Sequence, residues 1–401
     1  MSSFYLQRTS KIFSISLIVS LFLFSACMNN QSLPTSNPAA YITDKDKLDM
    51  IYSLVDLEGD KGRIYEVNYT LDYKLDEALN ANIEGTASLV KFAMEHLMDI
   101  PLPKEAGISY GAGCSAFACP DADSNDFLMG RNFDFNHRDS TGERVMIPVI
   151  AVHTAPKGGK KSVSFVDALF VSYKSGFYTD GKSDLSMLMA LPYLLLDGIN
   201  EDGFAVSVLK LDGKPTKQQD PEKKSIFTTV AMRMLLDRAS TVDQAIEMLK
   251  QYNMCMDNEE ASYHFFMADA TGDYAIIEYT KNNPLDPEEN PTKMEVLKGD
   301  NAWRYVTNFY TSPSMADSPD GSNNSKHGKD RYDTLCCSMA SSQYKLNSDG
   351  VMDLLSKVSQ GPEVQLSTGF TQWSEVFNLT KRTVKMSILR EYDKRFEFSI
   401  E

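Results

Sequence analysis

With 401 residues, 42% of them hydrophobic and 24% charged, the chain has room for one large globular domain or two ordinary ones, and its composition excludes a collagenous or wholly disordered protein. A formal charge of -15 repels phosphate backbones, which excludes nucleic acid as a partner. The five histidines are scattered singly, with neither a His-Glu-x-x-His nor a Cys-x-x-Cys spacing, so no catalytic metal and no cofactor is expected.

The N-terminus is the first informative stretch. Arg8 and Lys11 precede residues 12–24, which are apolar apart from Ser14, Ser16 and Ser20, and the small residues Ser25 and Ala26 lead to Cys27. A positive start, a short apolar core and a small-residue cleavage site describe a secretory signal peptide over residues 1–26. The core falls short of the ~20 apolar residues that a membrane span needs. Phe24-Ser25-Ala26-Cys27 resembles the bacterial lipobox, with Phe24 where Leu is usual. That resemblance implies acylation of Cys27 and an exported chain, lipid-anchored to a bacterial membrane on the periplasmic face or the cell surface; ordinary secretion is the alternative. Residues 27–40 are polar and contain proline, as a flexible tether would. Export permits disulfides, but Cys114, Cys119, Cys255, Cys336 and Cys337 are odd in number and form no framework.

Residues 43–100 read as helical, with Leu89, Phe92, Ala93 and Leu97 at helical spacing, and residues 101–113 break the pattern with two prolines and three glycines. Beyond the break the texture is that of strands. Residues 114–119 and 127–135 flank a polar turn as a hairpin, and further strands are expected at 145–153, 162–170, 188–195 and 204–211. Helices follow at 226–239 and 242–249, the second opened by Thr241 and Gln244 at capping-box spacing. Strands at 262–268 and 274–279, helices at 330–340 and 348–358, and strands at 373–378, 384–389 and 396–400 complete the chain. Residues 213–224, 281–293 and 311–328 read as surface loops. Strands, then helices, then strands again, without βαβ alternation, favour stacked antiparallel sheets with helices on their outer faces.

Cys114 follows Gly111-Ala112-Gly113 at the start of a strand. A lone cysteine there has two readings: a small core residue, or a nucleophile that attacks the carbonyl of Gly113, where glycine offers the least steric resistance. Hydrolysis of the resulting thioester would free the Cys114 amine. An α-amino group titrates at about 7.7–8.0 and serves as a general base near neutral pH. One residue would then supply both thiol and base, with no Ser-His-Asp set required.

The segment CSAFACPDADSNDFLMGRNFDF, beginning at Cys114, strongly resembles the start of the choloylglycine-hydrolase and acyl-coenzyme A:6-aminopenicillanate acyltransferase superfamily of N-terminal nucleophile hydrolases. The resemblance implies that Arg131 sits beside the thiol and that Asp134 holds the new amine. A guanidinium favours thiolate and a carboxylate stabilises an ammonium, so the electrostatics agree. Residues 197–204 (DGINEDGF) look like the family's D-G-x-N-E-x-G-L hairpin, with Asn200 as a structural turn residue. Val306-Thr307-Asn308 resembles a segment whose Asn helps form the oxyanion hole, and Arg331 matches a second active-site arginine at a helix start. Bile salt hydrolases carry Asn, and penicillin V acylases Tyr, where this chain has Lys210. That cation could contact a substrate or an oxyanion, or could point into solvent. Residues 28–113 look more like the prosegments of the acyltransferase branch and of its N-acylethanolamine acid amidase and acid ceramidase relatives, where the released segment stays bound; RIYEVNYTLDYKLDE (63–77) carries that likeness.

The expected fold is therefore α+β, a four-layer αββα sandwich over residues 114–401 with a helical prosegment at 41–113. The expected function is self-cleavage between Gly113 and Cys114, then hydrolysis of a linear non-peptide amide of an N-acyl small molecule by Cys114, Arg131, Asp134, Asn308 and Arg331. Bile salt or penicillin V hydrolysis is the alternative within enzymes, and an uncleaved ligand-binding lipoprotein the alternative outside them. Homo-oligomer formation is left open.

Overall fold

A computed structural model describes residues 42–59, 61–98, 112–138, 142–171, 173–181, 183–256, 261–318, 328–361 and 369–400. The expected signal peptide, Cys27 and the tether at 27–40 lie outside the described residues. The segment ahead of Cys114 is mixed rather than wholly helical. It runs α1 (Lys45–Ile51), β1 (Val55–Asp56), β2 (Ile64–Tyr69), α2 (Leu75–Asn80) and α3 (Thr86–Ala93), the last continuing into a π-helical turn, Met94–Met98. Helical spacing at Leu89, Phe92, Ala93 and Leu97 holds for its own stretch. Upstream, residues 64–69 (IYEVNY) are aromatic and β-branched, a composition that suits a pleated surface.

After β3 (Ala112–Pro120) and β4 (Phe127–Phe135) come β5 (Val149–Thr154), β6 (Ser162–Asp167), β7 (Leu195–Asn200) and β8 (Ala205–Asp212). Then follow β9 (Lys224–Phe227), α4 (Thr228–Arg238), α5 (Val242–Leu249), β10 (Tyr252–Cys255), β11 (Ala261–Ala268), β12 (Tyr274–Thr280) and β13 (Lys293–Lys298). The chain ends with β14 (Tyr305–Val306), α6 (Lys329–Ser341), α7 (Ser348–Lys357), β15 (Phe370–Asn378), β16 (Thr383–Ile388) and β17 (Phe396–Ser399). One expected strand, 188–195, is instead a 3-10 helix, Leu185–Tyr193, and β7 begins at Leu195. Pro192 lies inside that helix and lacks the N–H that a central ladder requires.

Among the described residues the strands form a nine-stranded sheet in the order β1-β2-β5-β6-β7-β8-β11-β12-β13, a six-stranded sheet in the order β14-β3-β4-β15-β16-β17, and the pair β10-β9. The two large sheets meet face to face where β3 packs across β8 and β11. Helix α4 covers β7 and β8 on one outer side, and α7 covers β4 and β15 on the other. A separate apolar cluster fills that second outer layer, with Phe117, Leu128 and Val376 from the sheet against Leu335, Met339, Val351 and Leu355 from the helices. The αββα order follows from these contacts.

Strand β2 pairs in parallel with β5, so the segment ahead of Cys114 is part of the larger sheet. Its tyrosines reach far: Tyr69 Oη donates to the Met189 carbonyl at 2.8 Å, and Tyr73 Oη to Asp237 Oδ2 at 2.6 Å. Arg63 lies between Glu58 and Glu391, and Lys394 also pairs with Glu58, which ties the segment to the C-terminal hairpin. Hydrogen bonds from Arg63, and secondarily from Lys394, hold the Glu58 carboxyl at about 2 against an ordinary 4.5. A depressed carboxyl stabilises the fold above its ordinary value, and that stabilisation is lost as pH falls through the folded one. Glu58→Gln should therefore lower the midpoint of thermal unfolding at pH 7, and the gap to the unaltered protein should close between about pH 5 and pH 2. A gap as wide at pH 3 as at pH 7, by circular dichroism, would refute this account.

Candidate active site

The hairpin β3–β4 sets the geometry. Its register pairs Gly113 with Asp134, Cys114 with Phe133, Ser115 with Asn132 and Ala116 with Arg131. Side chains alternate across a strand, so Cys114 and Arg131 share one face, while Ser115 and Asp134 share the other. Arg131 reaches into the interface between the sheets, where Nη2 donates to the Val208 carbonyl at 2.9 Å and Nε lies 3.3 Å from Asp197 Oδ2. Asp134 faces the helices, accepting from Gln360 Nε2 at 2.7 Å and from Thr371 Oγ1 at 2.5 Å. The sheet thus places the guanidinium on the thiol's side and the carboxylate on the opposite side, facing the helices.

Asn308 and Arg331 close the site. Cys114 N donates to Asn308 Oδ1 at 2.6 Å, and Asn308 Nδ2 donates to the Lys210 carbonyl at 2.8 Å. Arg331, in the first turn of α6, donates to the Cys114 carbonyl, to Ser115 Oγ at 2.9 Å and to Asn308 Oδ1 at 2.8 Å, and lies 3.4 Å from Asp134 Oδ2. Gly328 caps α6 at φ +77°, where an added Cβ would stand 2.5 Å from Arg331 Nη2, so the guanidinium fills the space that glycine leaves. All five expected residues, Cys114, Arg131, Asp134, Asn308 and Arg331, come together, with Gly113 directly before the thiol in β3.

Lys210 is placed differently. Ser207 stands opposite Asp197, and Leu209 opposite His264, so the side chain of Lys210 leaves β8 on the other face, one position further along. Its ammonium pairs with Asp212 Oδ1 at 3.0 Å. What Lys210 brings to the site is its carbonyl. Asn200 is a turn residue, as the motif implies: its Oδ1 accepts from the Asp202 and Phe204 amides, and its Nδ2 donates to the Leu236 and Ala239 carbonyls.

Cys114 is 1% exposed. Burial pushes the Cys114 thiol up, Arg131 opposes that push, and Asp134 reinforces it. Beneath Arg131 lie two buried carboxyls that sequence reasoning missed, Asp197 and its neighbour Glu375, which stands opposite Arg131 across β4 and β15. Asp197 sits inside the D-G-x-N motif, which was legible for its turn alone. Glu375 carried no sequence signal. Burial raises Asp197 to about 6 despite Arg131, and burial with the charge of Asp197 raises Glu375 well above its ordinary range.

The family model for linear amide C-N hydrolases, choloylglycine hydrolase family, matches residues 114–344, beginning at Cys114. A penicillin V acylase from Pectobacterium atrosepticum is 26% identical over 183 residues, which cover 43% of this chain and 46% of that one, so the match spans a little under half of the relative. Two solved structures are similar at low identity. A penicillin V acylase from Agrobacterium tumefaciens gives a TM-score of 0.44 at 16% identity, over 69% of this chain and 83% of its own. A variant conjugated bile acid hydrolase from Clostridium perfringens gives 0.46 at 15%, over 72% and 92%.

The acid pair beneath Arg131 has a consequence for stability. A raised carboxyl stabilises the fold below its ordinary value and loses that contribution as pH climbs through the folded one. Glu375→Gln keeps the shape and needs no proton. It should leave the unfolding midpoint near that of the unaltered protein at pH 4 and above it at pH 8. A variant less stable at pH 8, by calorimetry, would show that Glu375 is charged and paired.

Proposed function

The chain belongs to the choloylglycine hydrolase family of linear amide C-N hydrolases, and from that premise we propose that it is a self-processing cysteine amidase acting on an N-acyl small molecule. The observation that carries the reading is the convergence of Asn308 and Arg331 on the backbone of Cys114, with Arg131 on the thiol side. An inert core cysteine needs no such company.

In the first stage the Cys114 sulfur attacks the Gly113 carbonyl carbon, and the C–N bond breaks with the proton going to the Cys114 nitrogen. Water then hydrolyses the thioester, leaving a Gly113 carboxylate, a free thiol and a free amine. Asn308 Oδ1, which already accepts from that nitrogen, and Asp134 hold the amine; Arg131 favours thiolate. In the second stage the thiolate attacks the substrate carbonyl. Asn308 Nδ2 has two hydrogens and gives one to Lys210, so the other can meet the oxyanion. The amine takes the thiol proton as the thiolate forms, passes it to the leaving nitrogen, and then activates water against the acyl-thioester.

The resemblance of the segment ahead of Cys114 to released prosegments favours an N-acyl amino compound or N-acyl lipid. The similarity to a penicillin V acylase keeps penicillin V as the second substrate to test. Export and acylation at Cys27 would place the reaction at a membrane surface.

Intact mass and N-terminal sequencing of purified protein should find a new chain starting at Cys114, absent in Cys114→Ala. Protein that stays intact yet hydrolyses amides would sink the mechanism, and intact protein without activity would favour a binding lipoprotein. Conjugated bile salts, penicillin V and N-acyl amino acids, assayed side by side, should show the highest kcat/KM for the last.

A further inference from the structure

His264 and Glu278 are fully buried and lie outside the five residues at Cys114. His264 precedes Phe265 in β11 and Glu278 follows Ile277 in β12; Phe265 and Ile277 pair in the antiparallel ladder, so His264 and Glu278 stand opposite one another. His264 Nδ1 is 3.1 Å from Glu278 Oε1, and Nε2 is 2.8 Å from the Thr307 carbonyl. Glu278 is otherwise occupied as an acceptor. Its Oε1 takes the Thr311 amide and hydroxyl, at 2.9 and 2.8 Å, and its Oε2 takes those of Ser312, at 2.9 and 2.6 Å. With four donors already aimed at it, the carboxyl has no proton to offer the ring. Burial pushes Glu278 up, but the hydrogen bonds from His264, Ser312 and Thr311 outweigh it and hold the group below the usual carboxylate range.

Both ring nitrogens of His264 therefore face acceptors, since a peptide carbonyl cannot donate either. A neutral imidazole satisfies one of them and leaves a lone pair against the other. An imidazolium satisfies both, and its charge is balanced by Glu278 in a site where an unpaired charge would be costly.

What the pair holds is the segment 307–312, which carries Asn308. Thr307 is fixed through its carbonyl, and Thr311 and Ser312 through amide and hydroxyl. Thr307 Oγ1 also donates to the Gly328 carbonyl at 3.0 Å, at the cap of the helix that carries Arg331. We propose that His264 and Glu278 form a buried imidazolium–carboxylate clamp that positions Asn308, and through Gly328 the start of α6, against Cys114. They are positioning residues, because neither touches the reacting atoms. This rests on the reading of Asn308 as the oxyanion donor, which acts in the transition state, so the clamp should govern turnover more than substrate binding.

Two measurements test it. In full-length protein labelled with 15N-histidine, the signals that disappear in His264→Gln belong to His264. Two protonated-type nitrogens are expected in the unaltered protein, and one unprotonated nitrogen would overturn the clamp. This spectrum needs no substrate, so it decides the point even if no amide is turned over and the functional reading fails. On the amide that the protein hydrolyses, His264→Ala and Glu278→Gln should each lower kcat about 10- to 100-fold with KM changed by less than about threefold, as expected for an angstrom-scale displacement of a catalytic group. His264→Gln keeps one donor and should fall between His264→Ala and the unaltered protein. Unchanged kcat in a folded variant, or a rise in KM alone, would overturn the positioning role.

Discussion

The hydrogen bond from the Cys114 amide to Asn308 is the joint on which the rest of the site depends. It binds the first strand of the six-stranded sheet to the segment that leaves β14, and Arg331 donates to the same oxygen from α6. Three stretches far apart in sequence meet at one carboxamide. Its oxygen accepts from Cys114 and Arg331, and its nitrogen gives one of two hydrogens to the Lys210 carbonyl of the other sheet. A carboxamide is suited to this, since it is donor and acceptor at once and carries no charge to desolvate.

Charge is partitioned around that joint by the sheet itself. Arg131 and its two acids lie between the sheets with the thiol, while Asp134 lies on the helix side with Arg331, which donates to the Cys114 carbonyl. A single strand thus separates two ion pairs that would otherwise compete. Two carboxyls beneath one guanidinium can both ionise only at a high electrostatic cost. With Asp197 raised to about 6 and Glu375 well above its ordinary range, one negative charge faces Arg131 at neutral pH and the local charge stays near zero.

Much of this was legible because it is local. The G-R-N-F-D run at 130–134 and the D-G-I-N-E-D-G run at 197–203 are short local patterns; the first lies in the strand paired with that of Cys114, and Asn200 of the second is a turn residue. The helical extension over 43–100 failed because one periodic stretch, 89–97, was carried upstream into β2. Strands β9, β10 and β14 are two to four residues long, and β13 is a half-exposed edge, so none shows a pattern long enough to recognise. Lys210 has two sequence readings, a site contact and a solvent-pointing cation, for a different reason. Counting residues from Asn200 gives a position along a strand, but the face depends on the register with β11, which only the folded sheet reveals. His264 and Glu278 were silent too, because a lone histidine and a lone glutamate have no spacing to read.

The strand β2 bears on what self-cleavage would release. Ile64, Tyr65, Val67 and Tyr69 are buried, and at about 1.5–3 kcal/mol per buried large apolar side chain they contribute on the order of 6–12 kcal/mol before its ladder bonds are considered. That is comparable to the whole stability of an ordinary domain. A cut at Gly113 removes the covalent link and none of these contacts, so the segment 42–98 would remain in the sheet as a second chain. What such a cut would free is a new C-terminus at Gly113, directly before a Cys114 that is buried. Strand β2, held between β1 and β5, would keep its place in the sheet after such a cut.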